Sequence, residues 1–312
     1  MATEYRISVL IPCHSTNFLS DCIDSIQQQT LSKNDFEVVI IADRVEQTDV
    51  EDILDNRGLN FRIISSNAPG IVTALNTGLN NISSEYIARM DEDDLMCPDR
   101  LRAQLEYLEI NSDCVAIGGQ LELIDGQGSR IGESNFHGKV GKSYKELFSN
   151  SPLAHPAAMI RKSAINQIGG YRGFLAEDWD LWVRLREIGE VHNLSQIVIK
   201  YRIHENQLSR QKMYAQSRAR LIVGVSYFAR QMHFSDEPEI SSELEIWLTA
   251  STLNLRNSSL KFRFFLRWSN RLDLYQESLN SLIATRKISV FISMLARYPI
   301  WLLRDMLKKT FR

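Results

Sequence analysis

YIARMDEDDLMCPDR, Tyr86 to Arg100, is an apolar run that ends abruptly in acid. Tyr86 to Met90 reads as a β-strand. Asp91, Glu92, Asp93 and Asp94 follow without a spacer. A helix then runs from Pro98 to Ile110, with proline in its first turn and Leu101, Leu105 and Leu108 on one face. A strand, a charged turn and a helix in that order are half of a βαβ unit.

The same alternation extends in both directions. ISVLIP (Ile7 to Pro12), FEVVIIAD (Phe36 to Asp43), FRIIS (Phe61 to Ser65) and Cys114 to Leu123 read as strands. Phe18 to Gln29 carries Phe18, Leu19, Cys22, Ile23 and Ile26 at helical period, and Gly70 to Leu79 reads as a second helix. Alternating strands and helices predict an α/β fold with a mostly parallel, Rossmann-like sheet flanked by helices. The strands are unbroken apolar runs, as in sheets covered on both faces. Gly126, Gly128, Gly132, Gly138 and Gly141 mark a loop-rich stretch, and helix and strand pieces resume from Tyr144 to Arg202. Beyond about Leu208 the pattern is helical. The predicted organisation is a catalytic domain over 1–208, with halves of about 1–125 and 126–208, and a C-terminal helical extension over 209–312.

The chain has 312 residues, 44% hydrophobic and 24% charged, an ordinary globular composition. Its net charge of -2 is unevenly spread: twelve Lys/Arg against three acids from Arg256 onward give +9, leaving -11 on the rest. An acidic body with a basic tail points to a polyanionic surface near the C-terminus. The four cysteines form no CxxC pair and read as free thiols in a reducing compartment. MATEYRISVLIP lacks the pattern of a signal peptide, and no apolar run is long enough for a spanning helix.

In parallel α/β sheets ligands bind beyond the carboxyl ends of the strands. Asp91 to Asp94 lie at such an end, and so does Asp43 after FEVVII. Carboxylates one residue apart suit a hard divalent cation, Mn²⁺ or Mg²⁺. Such an ion would bridge phosphate oxygens and neutralise a leaving diphosphate. The residues alone leave a second reading open, a solvated acidic loop capping the next helix.

An ordered set of stretches resembles the family 2 glycosyltransferases of GT-A fold. They are ISVLIPCHS (from Ile7), VVIIADRVEQTD (from Val38), NAPGIVTALNTGL (from Asn67), YIARMDEDDLMCPDRL (from Tyr86), HPAAMIRKSAINQIGGY (from His155), AEDWDLWVRL (from Ala176) and YRIHENQLS (from Tyr201). Each is weak alone. Their common order over the first two thirds of the chain is specific.

The resemblance implies an inverting transfer of a sugar from a nucleoside-diphosphate donor, with UDP favoured. The acceptor would be a glycan or lipid-linked molecule in surface-polysaccharide assembly, of the O-antigen or capsule kind. It implies that Pro12 and Asp43 hold the base, where Asp43 alone would read as a turn residue. It gives Asp91 the ribose and diphosphate, and Asp93 the metal. Gly70 to Gly78 would pass under the sugar diphosphate, with Asn76 as a polar contact. His204 would join Asp91 and Asp93 at the metal, and His155 would lie near acceptor or diphosphate. Asp178 would be the general base, with Glu177 orienting the acceptor or the base. Helix capping by Asp178 and Asp180 is the other reading of that segment. Trp179 would offer an acceptor surface, although helical spacing assigns at least one of Trp179 and Trp182 to the core.

The chain departs from the family at His14, at Ala42-Asp43 and at Arg44 and Val45, where an asparagine, a double acid and Gly-Ser are usual. The base site is therefore tuned differently. Basic residues interleave with apolar anchors in SLKFRFFLRWSNRL (from Ser259) and in Ile288 to Arg312. That pattern suits peripheral contact with an anionic membrane, here the inner face of the cytoplasmic membrane. A helical subdomain packed on the body is the alternative. No nucleic-acid module is visible. The competing function is a non-catalytic sugar-nucleotide-binding or assembly subunit of the same fold.

Overall fold

The computed structural model describes residues 5–55, 57–136, 138–140, 151–173, 176–204 and 223. All belong to one compact unit, Met1–Tyr227. The basic region over 209–312, with its proposed membrane contact, lies outside the described residues apart from Val223.

The element order is β1 (Ile7–Cys13), α1 (Leu19–Gln27), β2 (Phe36–Ala42), α2 (Gln47–Leu54), β3 (Phe61–Ser65), α3 (Ile71–Asn81), β4 (Tyr86–Arg89), β5 (Leu95–Met96), α4 (Arg100–Ile110), β6 (Cys114–Ile124), β7 (Arg130–Glu133), a 3-10 turn (His155–Ala157), β8 (Met159–Arg161), α5 (Lys162–Gln167), α6 (Glu177–Ile188) and β9 (Glu190–Arg202). One nine-stranded sheet runs β3-β2-β1-β4-β8-β6-β9-β5, with β7 against β6. Strands β1 to β4, β6 and β9 point one way, and β5, β7 and β8 run against them. The mostly parallel α/β sheet read from the sequence is present.

The apolar runs are unbroken because both faces are covered. Ile7, Val9 and Ile11 of β1 and Phe36, Val38 and Ile40 of β2 pack with α1, α2 and α4. Their alternates Leu10, Val39 and Ile41 pack with α3, α5 and α6. Edge strand β3 is the exception and is partly exposed. Helix α2 has no clear sequence signal, since only Val50 and Leu54 of its eight residues are buried.

Two features of this fold place the site. The carboxyl ends of β1, β2 and β4 lie side by side, with Cys13 beside Ala42 and Leu10 beside Arg89. The chain after the acidic run then adds β5 as the edge strand beside β9, pairing Leu95 with Lys200. The acids are thereby pressed against the end of β9, where Arg202 and His204 stand. Strand β9 in turn lies along β6 for most of its length. That approach is close at Gly119, where a Cβ would meet Val198 Cγ1 at 2.6 Å, Val198 Cγ2 at 2.7 Å and Gln196 O at 3.2 Å. Val198 is fully buried and has no room to yield. Gly119→Ala should therefore destabilise the protein by about 1–3 kcal/mol in urea unfolding, with the denaturant slope unchanged. Wild-type stability would show that β9 shifts freely on β6.

Candidate active site

A cleft of about 620 Å³ opens over these strand ends, lined among others by Pro12, His14, Asp43, Gly70, Arg89, Asp91, Asp93, His155, Glu177, Asp178 and His204. Nearly every residue named from the sequence meets here.

The acidic run forms one wall. Asp93 Oδ2 lies 2.9 Å from His204 Nε2. Asp91 pairs with the buried guanidinium of Arg89, and Glu92 pairs with His14. Asp94 is fully buried, and its Oδ1 accepts the Arg202 backbone N–H at 2.8 Å. The Arg202 side chain donates to Asp93 O at 2.8 Å and to Gly126 O at 3.1 Å. It also reaches Asp21 Oδ2 at 3.3 Å and lies 4.4 Å over the Phe18 ring. One buried cation thus ties α1, the β6–β7 turn and the acidic loop together. Burial and the neighbours Asp91 and Glu92 push the Asp93 carboxyl up to about 6. Burial, with Asp93 and Asp91 nearby, holds Asp94 well above the usual carboxylate range. His14 is raised, chiefly by its hydrogen bond to Glu92.

This wall fits a divalent cation. Asp91, Asp93 and Asp94 each offer an oxygen within 4.8 Å of the others. Buried Asp94 Oδ2 has no hydrogen-bond partner among the described residues. Hard oxygen donors with excess negative charge are what Mn²⁺ or Mg²⁺ requires.

The opposite wall is the start of α6. Glu177 and Asp178 are its first two residues, and both line the cleft. The helix is capped by Ala176 without a side-chain cap bond, and Asp178 Oδ1 accepts the Trp179 N–H at 2.7 Å. Asp180 is fully buried between Arg172 and Arg184. Asp180 is therefore held by these arginines rather than capping the helix, whereas Asp178 does hold a first-turn N–H, from inside the helix and not at its N-cap. Burial and Asp178 push Glu177 up to about 7, while Arg89 pulls it down.

The remaining residues divide. Asp43 is buried and accepts the Gly70 N–H, 3.0 Å to Oδ2 and 3.3 Å to Oδ1. Gly70 itself has φ 123°, which suits only glycine, at the entry to α3. His155 Nε2 lies 2.9 Å from the Tyr171 hydroxyl, and its ring meets Trp182 edge-on. Burial, with Arg89 nearby, holds that imidazole well below its usual pKa. Asn76 and Trp179 do not reach the cleft. The Asn76 amide bonds the Tyr171 backbone at both ends, 2.8 Å to its carbonyl and 3.0 Å from its N–H. Trp179 is 1% exposed, so both tryptophans of this helix are core.

Arg89, the His14–Glu92 pair and Arg202 belong to the site, although the sequence alone assigns them no role in it. For Arg89 a signal exists all the same. An arginine inside a buried apolar strand requires an anion beside it, and the acids two residues on supply one.

Three comparisons set the chain beside known proteins. The family described as Glycosyl transferase family 2 matches residues 8–169. The chain is 35% identical over 213 residues to the O-antigen biosynthesis glycosyltransferase WbnJ of Escherichia coli, covering 64% of this chain and 80% of that protein. It is 27% identical to the UDP-Gal:alpha-D-GlcNAc-diphosphoundecaprenol beta-1,3-galactosyltransferase of Escherichia coli, covering 73% and 83%. The fold is shared with the mannosyltransferase PcManGT from Pyrobaculum calidifontis in complex with GDP-Man and Mn²⁺, with a TM-score of 0.55 at 15% identity, over 98% of this chain and 88% of that one.

The Glu177 shift makes stability depend on pH. Its folded value of about 7 lies above its ordinary 4.5, so the folded state holds the extra proton between those values. Stability from this group therefore falls as pH rises from 4.5 to 7. Glu177→Gln should be more stable than the parent at high pH by on the order of 2 kcal/mol, with little difference in mild acid. An equal gain under both conditions in thermal unfolding would contradict the burial.

Proposed function

The chain belongs to glycosyl transferase family 2, and from that premise we propose an inverting, metal-dependent transfer from a nucleoside-diphosphate sugar, a UDP-sugar by preference. The acceptor is a glycan or a lipid-linked molecule in the assembly of cell-surface polysaccharide, of the O-antigen or capsule kind. One observation carries this reading. A cation-suited acidic wall, with Asp93 2.9 Å from His204, shares one cleft with the Glu177-Asp178 pair.

In this reading Asp91, Asp93 and His204 would hold Mn²⁺ or Mg²⁺, with the buried Asp94 oxygen beside them. The ion, when bound, offsets the charge that gathers on the diphosphate as it leaves. Asp43, with Pro12 beside it, holds the base. Gly70 brings the first turn of α3 to the cleft, and a helix N-terminus favours phosphate there. Asp178 takes the proton from the acceptor hydroxyl as that oxygen attacks the anomeric carbon and the bond to the diphosphate breaks. Glu177 titrates near neutrality and orients the acceptor hydroxyl. His155, neutral and fixed by Tyr171, sits against acceptor or diphosphate.

Two features of the named proteins favour the finer points. The galactosyltransferase is named for a UDP-sugar and a diphosphoundecaprenol-linked acceptor, and the mannosyltransferase is described with Mn²⁺. A lipid-linked acceptor would place this enzyme at the inner face of the cytoplasmic membrane. The basic region over 209–312 is the part of the chain suited to that contact. No described helix is long and apolar enough to cross a membrane.

The test is nucleotide release from a panel of nucleoside-diphosphate sugars with diphosphoundecaprenol-linked acceptors. Asp178→Asn should lower turnover by about 10²–10⁴-fold while donor affinity is kept. Asp93→Ala should abolish metal-dependent donor binding. Full turnover in Asp178→Asn would remove it as the base, and metal-dependent binding retained in Asp93→Ala would remove the metal assignment.

A further inference from the structure

One cleft residue has no role in the chemistry above. Arg44 follows Asp43 at the end of β2 and lines the cleft beside Pro12, His14 and Gly70. Its φ of 68° makes it the one described non-glycine residue with a left-handed backbone. The turn out of β2 imposes that conformation on whatever residue stands there. Glycine would adopt it freely, whereas a side chain is disfavoured. Strain of this kind at a site is a reason to look for function. Arg44 is exposed, and among the described residues its guanidinium has no hydrogen bond or ion pair. Nothing within the described fold accounts for an arginine at this turn.

Its position says what it can reach. Strand β1 lies between β2 and β4, so Arg44 stands about two strand spacings, ~10 Å, from the acidic wall. A diphosphate held at that wall puts its ribose in between and its base at the end of β2. Arg44 is thus at the base end of the cleft. Beside it, Asp43 accepts the Gly70 N–H and keeps lone pairs for one N–H of a ligand. A carboxylate and a guanidinium on consecutive residues present an acceptor next to a donor. With the carboxylate facing the ring nitrogen, in the register that the ribose and diphosphate set, their complement is an imide edge, where a ring N–H adjoins a carbonyl oxygen. Uracil, thymine and guanine have that edge. In the same register cytosine and adenine would turn a ring-nitrogen lone pair to the carboxylate and an amino group to the guanidinium.

We propose that Arg44 is a specificity-determining residue for the donor nucleotide, donating to the base carbonyl next to the N–H that Asp43 accepts. This rests on the cleft being a nucleotide-sugar site.

The experiment is calorimetric titration of UDP, GDP and CDP with Mn²⁺ into the full chain, its Arg44→Gly and its Arg44→Lys variants, with Tm measured for each. Arg44→Gly keeps the turn and removes the donor. It should weaken the better of UDP and GDP by about 10- to 100-fold, the range of one hydrogen bond to a charged group, and narrow its margin over CDP. Its Tm should be unchanged or higher, because the strain is relieved. Arg44→Lys should recover part of the affinity. Unchanged UDP and GDP affinity would overturn the assignment while leaving the nucleotide-sugar reading standing. An equal loss for all three nucleotides would move Arg44 to the phosphates and overturn it as well. A lower Tm with proportionate loss would make its role structural. If the wild-type chain binds none of the three, the nucleotide-sugar reading falls, and this assignment with it.

Discussion

Four consecutive carboxylates at the end of a buried strand are the constraint that the rest of the site answers. Burial raises the pKa of Asp93 and of Asp94, and the neighbouring carboxylates add to the effect. A buried charge without a partner costs several kcal/mol. The fold surrounds the run accordingly. Arg89 stands below Asp91, His14 meets Glu92, His204 meets Asp93, and the Arg202 backbone meets Asp94. Arg202 does more than neutralise. Its side chain joins α1 and the β6–β7 turn to the acidic loop, so the geometry of the acids depends on strand β9 reaching its place.

The partners still leave an excess of negative charge facing the cleft. Asp94 keeps a buried oxygen without a hydrogen bond among the described residues. Under the proposed function a divalent cation completes that balance, and its own purpose is to hold a diphosphate. Arg89 connects this wall to the other. It pairs with Asp91 and draws Glu177 down while burial pushes it up. Burial, with the same field, keeps His155 neutral. Acidic wall, arginine and carboxylate pair therefore form one electrostatic unit, in which a change at Asp91 is felt at Glu177.

Much of this is legible in the sequence. Strand ends in an α/β sheet converge, so acids after Met90 and after Ile41 have to meet near one another. Unbroken apolar runs place β1, β2 and β4, and the spacing of Leu101, Leu105 and Leu108 places α4. What cannot be read is pairing between distant residues. Arg202 and Asp93 are 109 positions apart, and no local pattern joins them. Asn76 and Trp179 lie away from the cleft, against expectation, for a related reason. Helical spacing shows which residues share a face but not what that face meets. The Asn76 face meets the Tyr171 backbone, and the Trp179 face meets the core. The capping alternative fails for Asp180 because Arg172, from the loop before α6, and Arg184, one turn along it, converge on that carboxylate, whereas Asp178 does hold the first-turn N–H of Trp179.

Whether a cation joins the acidic wall to a diphosphate is decided most directly by a Mn²⁺ binding titration of the unaltered chain. Electron paramagnetic resonance would follow the ion, with and without UDP. One Mn²⁺ should bind per chain and be held more tightly when UDP is present, because the acids and the diphosphate share the ion. Absence of bound Mn²⁺ at saturating UDP, or a Mn²⁺ affinity indifferent to the nucleotide, would contradict this.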